Sequence, residues 1–244
     1  MMKELEQLPI PLLLWYRENA RVLPWRSDPT PYRVWISEIM LQQTRVAAVL
    51  DYYRRFLEAV PTVADLAALP EDALMKLWQG LGYYSRARNL QKAARQIVEN
   101  FGGVFPNTYD EIRSLAGVGD YTAGAVASIA FGLPVPAVDG NVLRVVTRIT
   151  GDTGDITTPA VKRRITEALR QIIPTEAPGQ FNQAMMEQFH IRWLVTKDGG
   201  AAGGFDEKAA AASAAGAKLV VIRRPPEQGE TASEVLKRCK EMIR

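Results

Sequence analysis

The 244-residue sequence holds a single cysteine, Cys239, and a single histidine, His190. A lone cysteine excludes an internal disulfide and a thiolate-held metal cluster within one chain, and it fits a reducing cytoplasm. With no cysteine near it, His190 reads as a buried or boundary side chain and not as a metal ligand. No apolar run approaches the roughly 20 residues that a membrane-spanning helix needs. The N-terminal stretch MMKELEQLPIPLLLWYREN turns charged too soon for a signal peptide. Charge of one sign is also scarce, with 30 Lys+Arg against 27 Asp+Glu and a net of +3. A polyanion partner must therefore be argued from local clusters and not from the total.

What is present is an ordinary globular balance, 47% hydrophobic and 23% charged, sufficient for one large domain or two modest ones. Arginines gather in the first hundred residues, among them Arg26, Arg33, Arg45, Arg86, Arg88 and Arg95; taken singly, each reads as part of a solvated helix face. Up to about residue 190 the apolar positions recur at helical spacing. Trp35, Ile36, Ile39 and Met40 form a stripe that can run on through Val46, Val49 and Leu50. Pro70-Glu71-Asp72 is a helix start, and Gly80-Leu81-Gly82 its stop. A helix spans Tyr84 to Asn100, Thr108 caps a short one through Ser114, and Asp139 precedes another over Gly140–Thr150. A last helix pair runs from Thr158 to about Phe189. Beyond residue 190 the pattern changes to strand (IRWLVT), Ala-rich helix (FDEKAAAASAAGA), strand (KLVVIRRP) and terminal helix (TASEVLKRCKEMIR). The fold class is thus mainly α with a short C-terminal β-α-β-α appendage.

Three stretches carry chemistry. LAGVGDYTA (115–123) places two glycines one residue apart before a helix of small residues. That pattern allows a hairpin whose unpaired N–H groups face a phosphate, although a lone G-x-G is equally a structural turn between packed helices. VDGNV (138–142) sets an aspartate before a helix, and one such Asp alone reads best as an N-cap. SEIMLQQTRV (37–46) combines Glu38 with the amides Gln42 and Gln43 and with Thr44, close to aromatic residues. A surface helix explains that mixture, and so does a site that reads hydrogen-bonding edges.

Taken together, LAGVGDYTA resembles the helix-hairpin-helix motif of base-excision glycosylases. With PWR (24–26), SEIMLQQTRV, GLGYYSRARNL (80–90) and FNQAMME (181–187), the chain from about residue 5 to 187 resembles adenine DNA glycosylases of the MutY type. The resemblance implies a two-lobed helical fold with a cleft between lobes. One lobe, discontinuous, comprises 1–28 and 135–190; the other, 29–134, carries the hairpin at 108–131. It implies base-excision repair by flipping and hydrolysing adenine opposite 8-oxoguanine or guanine in double-stranded DNA, by a monomer in a bacterial cytoplasm, associated with the nucleoid.

Residue by residue, Glu38 matches the general acid that protonates adenine and then helps position water. Asp139 matches the carboxylate that stabilises the cationic sugar, with Asn141 orienting it. Tyr121 stands where endonuclease III-type enzymes carry a Schiff-base lysine, which implies hydrolysis without strand nicking. Trp25, Arg26, Leu41 and Glu187 line the adenine pocket. Gln43 and Thr44 contact the opposite 8-oxoguanine, and Tyr83 wedges into the stack beside it. Gln42, Leu81, Arg86, Gly117, Val118 and Gly119 complete the expected DNA contacts. A bifunctional glycosylase/lyase and a non-catalytic DNA-binding module are the alternatives.

The chain departs from that family after FNQAMME. The four cysteines of the family's [4Fe-4S] cluster are missing, so no cofactor is expected, and no 8-oxoguanine-recognition domain follows. The tail, about 191–240, with VTKDGGAAGGFDEKAAAA and GAKLVVIRRP, resembles instead the C-terminal part of precorrin-6A reductases. Its Gly-rich turn is no dinucleotide fingerprint. The tail at 191–244 reads as a graft that docks loosely on the helical body.

Overall fold

The computed structural model describes residues 5–187 and two strands, Trp193–Lys197 and Lys218–Ile222. Residues 1–188 form one compact unit and residues 189–244 another. The helical unit begins with α1 (Pro9–Asn19) and α2 (Pro24–Ser27), followed by α3 (Pro31–Leu41), α4 (Val46–Ala59), α5 (Val63–Ala68) and α6 (Glu71–Trp78). Then come α7 (Ser85–Phe101), α8 (Tyr109–Ser114), α9 (Asp120–Phe131), α10 (Gly140–Thr150), α11 (Pro159–Ile172) and α12 (Pro178–Glu187).

Local chemistry sets most boundaries. Proline in the first turn opens α3 and α11, and Thr30 and Thr158 cap them. Thr62 and Asp65 form a reciprocal capping box before α5. Thr108 accepts from the Glu111 N–H at the start of α8, and left-handed Gly102 ends α7.

The apolar stripe from Trp35 to Leu50 is not one helix. It breaks between Leu41 and Val46, where Gln43 adopts φ 58°. The stripe survives because both helices bury it in the same core, so periodicity alone could not show the break.

Two hydrophobic cores organise this unit. The larger gathers Trp35, Phe56, Trp78, Leu90 and Ile112 from the helices between α3 and α8, with Val126 of α9. The smaller joins Leu5 and Leu12 to Val146, Ile165, Phe181 and Met185. Helix α9 packs against α3, α8 and α12. Its Gly124 has no room for a side chain, since a Cβ there would lie 2.6 Å from the carbonyl oxygen of Pro136. Seven of its twelve residues are buried, as a helix apolar all round must be.

In the second unit the two strands pair in parallel, with Trp193 opposite Lys218 and Lys197 opposite Ile222. The expected Ala-rich and terminal helices, with Cys239, lie outside the described residues, as does His190.

Candidate active site

Helix α3 carries Glu38 on its inward face, where the side chain is only 7% exposed. Burial raises its carboxyl from the ordinary carboxylate range to about 7, and the nearby Asp139 pushes the same way. A hydrogen bond with Tyr121 and the Arg26 charge partly offset the rise. Tyr121 stands in the first turn of α9, its hydroxyl beside two acceptors, the Glu38 carboxylate and the Met186 Sδ at 2.8 Å. Burial, with the two carboxylates as smaller causes, holds the Tyr121 phenol well above its usual range, so it remains a donor.

Asp139 is the N-cap of α10. Its Oδ1 accepts from the Asn141 N–H at 2.9 Å and the Val142 N–H at 2.8 Å. Its Oδ2 accepts from the Asn141 side-chain amide at 3.0 Å. Three N–H groups converging on one carboxylate at a helix N-terminus suit a negative charge facing a cation. Asn141 is held in turn by Arg144, which donates to its Oδ1 at 3.1 Å.

The third element is an ion cluster around a buried carboxylate. Glu187, at the end of α12 and 5% exposed, accepts from Arg26 at 2.6 Å and from Arg21 at 2.7 Å. Arg26 also lies over the Tyr16 ring, 5.7 Å from its centroid. A buried carboxylate that accepts from two guanidinium groups is fixed in place, and removing Glu187 would leave the buried Arg26 without its anion.

These groups line one cavity of about 260 Å³. Nine expected site residues meet there: Trp25, Arg26, Glu38, Leu41, Thr44 and Tyr121, with Asp139, Asn141 and Glu187. Among the described residues no lysine, and so no side-chain amine, reaches its wall. Arg21, Ser37, Gln183 and Met186 also line it. Arg21 belongs to an arginine-rich stretch that by itself signals nothing. Gln183 and Met186 sit within FNQAMME, whose spacing puts them on the face of α12 that also bears Glu187.

The remaining expected residues lie elsewhere. Gln43 is exposed in the α3–α4 turn, and Tyr83, 60% exposed, in the loop before α7. Gln42 donates weakly to the Thr122 hydroxyl at 3.4 Å. Leu81 and Val118 are buried in the larger core, at 6% and 4% exposed. The Arg86 guanidinium turns inward onto backbone carbonyls. Gly117 takes φ 74° in the hairpin turn, where a Cβ would come within 2.7 Å of Asn89. Gly119 is the N-cap of α9, and the next residue, Asp120, is bound by Arg113 at 2.7 Å.

Residues 36–171 match the HhH-GPD superfamily base excision DNA repair proteins. Residues 143–240 match precorrin-6x reductase CbiJ/CobK. That second match starts well before the tail, inside α10, and takes in α11; both helices contribute to the smaller core. The chain is 47% identical to an adenine DNA glycosylase of Mus musculus over 185 residues, covering 72% of this chain and 36% of that protein. It is 41% identical to an adenine DNA glycosylase of Buchnera aphidicola subsp. Baizongia pistaciae, covering 72% of this chain and 50% of that protein. The chain thus spans between about a third and a half of the length of these curated relatives.

Among solved structures, a thermostable thymine-DNA glycosylase superposes with a TM-score of 0.68 at 26% identity, over 76% of this chain and 85% of that one. A trapped endonuclease III–DNA covalent intermediate gives 0.64 at 27%, over 76% and 84%. A [4Fe-4S] cluster of the kind the resemblance implies takes four thiolates. The sequence supplies Cys239 alone, so its residues do not fit that group. Among the described residues no three of His, Cys, Asp and Glu are grouped to hold a metal ion. The two-lobed helical fold, the glycine hairpin before α9 and the match over 36–171 agree: this chain belongs to the HhH-GPD superfamily of base excision DNA repair proteins.

Proposed function

We propose that this chain excises adenine from a mispair with 8-oxoguanine or guanine by hydrolysing its N-glycosidic bond, acting as a monomer on double-stranded DNA. The observation that carries the reading is the pairing of two carboxylates held in opposite settings within one cavity: Glu38 buried and raised to about 7, Asp139 ringed by N–H donors. Cleaving an N-glycosidic bond requires a protonated leaving base and a stabilised cationic sugar; a buried carboxyl raised to about 7 serves the first, and a carboxylate ringed by N–H donors the second.

The base must leave the helix to reach the cavity, at a cost of a few kcal/mol. The Arg26–Glu187 pair and the indole of Trp25 form the wall that receives it. Protonated Glu38 delivers its proton to adenine N7, the bond between C1′ and N9 breaks with its electrons going to the base, and the sugar is left cationic. Asp139 faces that cation. Water adds at C1′ and yields its proton to the Glu38 carboxylate, which restores the starting state. Tyr121 orients the Glu38 carboxyl throughout. Because no amine among the described residues lines the cavity, this reading has no Schiff base forming with the sugar and no nicking of the strand. In this reading Gln43, Thr44 and Tyr83 face the opposite base, and the hairpin at Gly117–Gly119 holds the DNA backbone. The discontinuous lobe at 1–28 and 135–190 closes on the lobe at 29–134, and the tail at 191–244 is a separate graft.

The test is incubation with duplexes carrying adenine opposite 8-oxoguanine or guanine, with and without later alkali. Cleavage that depends on alkali supports the reading. Cleavage without alkali would make the protein a lyase, and binding without cleavage would make it a non-catalytic module.

A further inference from the structure

Among the described residues two that are not glycine have a left-handed backbone, Gln43 at φ 58° and Tyr83 at φ 48°. They stand in different loops, one after α3 and one before α7. Such conformations persist in non-glycine residues only where the surroundings hold them. One guanidinium does so at both places. Arg86 Nη1 donates to the carbonyl of Gln42 at 2.6 Å, and Nη2 to the carbonyl of Gly82 at 3.3 Å. These are the two peptide groups that enter the left-handed residues.

The same side chain secures what lies around them. Nη1 also donates to the Ile39 and Met40 carbonyls at 2.8 and 3.1 Å, which ends α3 one turn beyond Glu38. Nη2 also donates to the Leu81 carbonyl at 3.2 Å and to the Thr44 hydroxyl at 3.5 Å. The guanidinium carbon lies 5.5 Å from the centroids of both the Trp78 and the Tyr83 rings. Trp78 adds its own Nε1 donor to the Gly82 carbonyl at 3.1 Å. A planar fork of donors can span both loops at once, which a single ammonium cannot.

We infer that Arg86 is a positioning residue that locks the two loops reading the base opposite the excised one, and so sets discrimination between 8-oxoguanine and guanine. It contributes through Gln43, Thr44 and Tyr83 and not through DNA phosphate. This rests on the proposed function, because discrimination has meaning only for a protein that engages such mispairs.

The experiment compares the full chain with R86K and R86M. Affinity is measured for three duplexes: 2′-fluoro-2′-deoxyadenosine (which resists cleavage) opposite 8-oxoguanine, the same opposite guanine, and a matched A:T duplex. In R86K the preference for 8-oxoguanine over guanine should fall by about tenfold, a coupling of ordinary size between linked groups, with matched-duplex binding and its salt dependence unchanged. Hydrogen exchange on the free protein should quicken at 42–44 and 81–84 and stay unchanged in α7 and α9. R86M, which fills the slot between the rings without hydrogen bonds, should behave alike.

A uniform loss of affinity on all three duplexes, with a salt slope reduced by about one, would make Arg86 a phosphate contact and overturn the inference. Unchanged discrimination in both variants would overturn it too, as would global loss of helical signal in both, which marks a general folding role. If the unaltered protein shows no preference among the duplexes, the functional reading falls and the specificity role falls with it. A discriminating parent beside equally discriminating variants overturns the inference alone.

Discussion

Glu38 sits in the buried run of α3, and burial raises its carboxyl to about 7 from 4.5. A carboxyl raised in the folded state costs nothing below its unfolded value, where both states are protonated. The cost grows as pH climbs from about 4.5 and is complete above about 7. The shift amounts to roughly 3 kcal/mol at full development, at about 1.4 kcal/mol per unit. Glu38→Gln keeps the shape and removes the charge, so it should raise Tm at pH 8 by several degrees, at about 2–4 °C per kcal/mol for a chain this size. The difference should shrink towards zero near pH 4.5, as thermal melts followed by circular dichroism across that range would show. A variant no more stable at pH 8 than its parent would mean that Glu38 is not confined as described.

The same residue scale shows what a sequence can and cannot disclose. The cap role of Asp139 was legible because its signal is local, an aspartate directly before the helix at Gly140; its place in the cavity was expected only from the resemblance. Arg86 was not, because an arginine on a helix facing a suspected DNA surface looks the same whether it points outward or inward. The acceptors of its Nη1 lie on Ile39, Met40 and Gln42, more than forty positions away. The Arg21–Glu187 contact spans 166 positions and leaves no trace in either local pattern.

Among the elements, α9 decides the geometry of the site. Its first turn presents Tyr121 to Glu38, and its small-residue flank lets the chain before Asp139 pass close by. Gly124 is where that approach is tightest, with the Pro136 carbonyl where a methyl would be. Gly124→Ala must therefore push the 134–138 segment away from α9. The expected loss is about 1–3 kcal/mol, the range for overpacking a filled interior. Asp139 should shift with that segment, so excision should slow even at temperatures where the variant is fully folded. Melting and single-turnover excision measured on the same preparation check both effects; an unaltered melt would show that the contact yields without strain. Helix starts in this region were readable from Thr108 and Asp139 because caps are short-range chemistry. The break between α3 and α4 was hidden, because the apolar stripe through Val49 and Leu50 continues across it into the same core.

At the scale of the whole molecule, the larger core holds α3, the Arg86 loops and α9, and the smaller one holds α10 and α12. The cavity takes Glu38 and Tyr121 from the first group and Asp139 and Glu187 from the second. The proposed excision by two carboxylates depends on that meeting, and none of its steps calls on the tail or on a cluster. The central claim is that a buried, proton-bearing Glu38 drives excision. It is tested most directly by the pH dependence of single-turnover excision on a duplex with adenine opposite 8-oxoguanine. The account predicts a rate that is high below neutrality, falls about tenfold for each pH unit above a midpoint near 7, and is lost at every pH in Glu38→Gln. A rate level through pH 8.5, or a Glu38→Gln variant as fast as its parent, would contradict it.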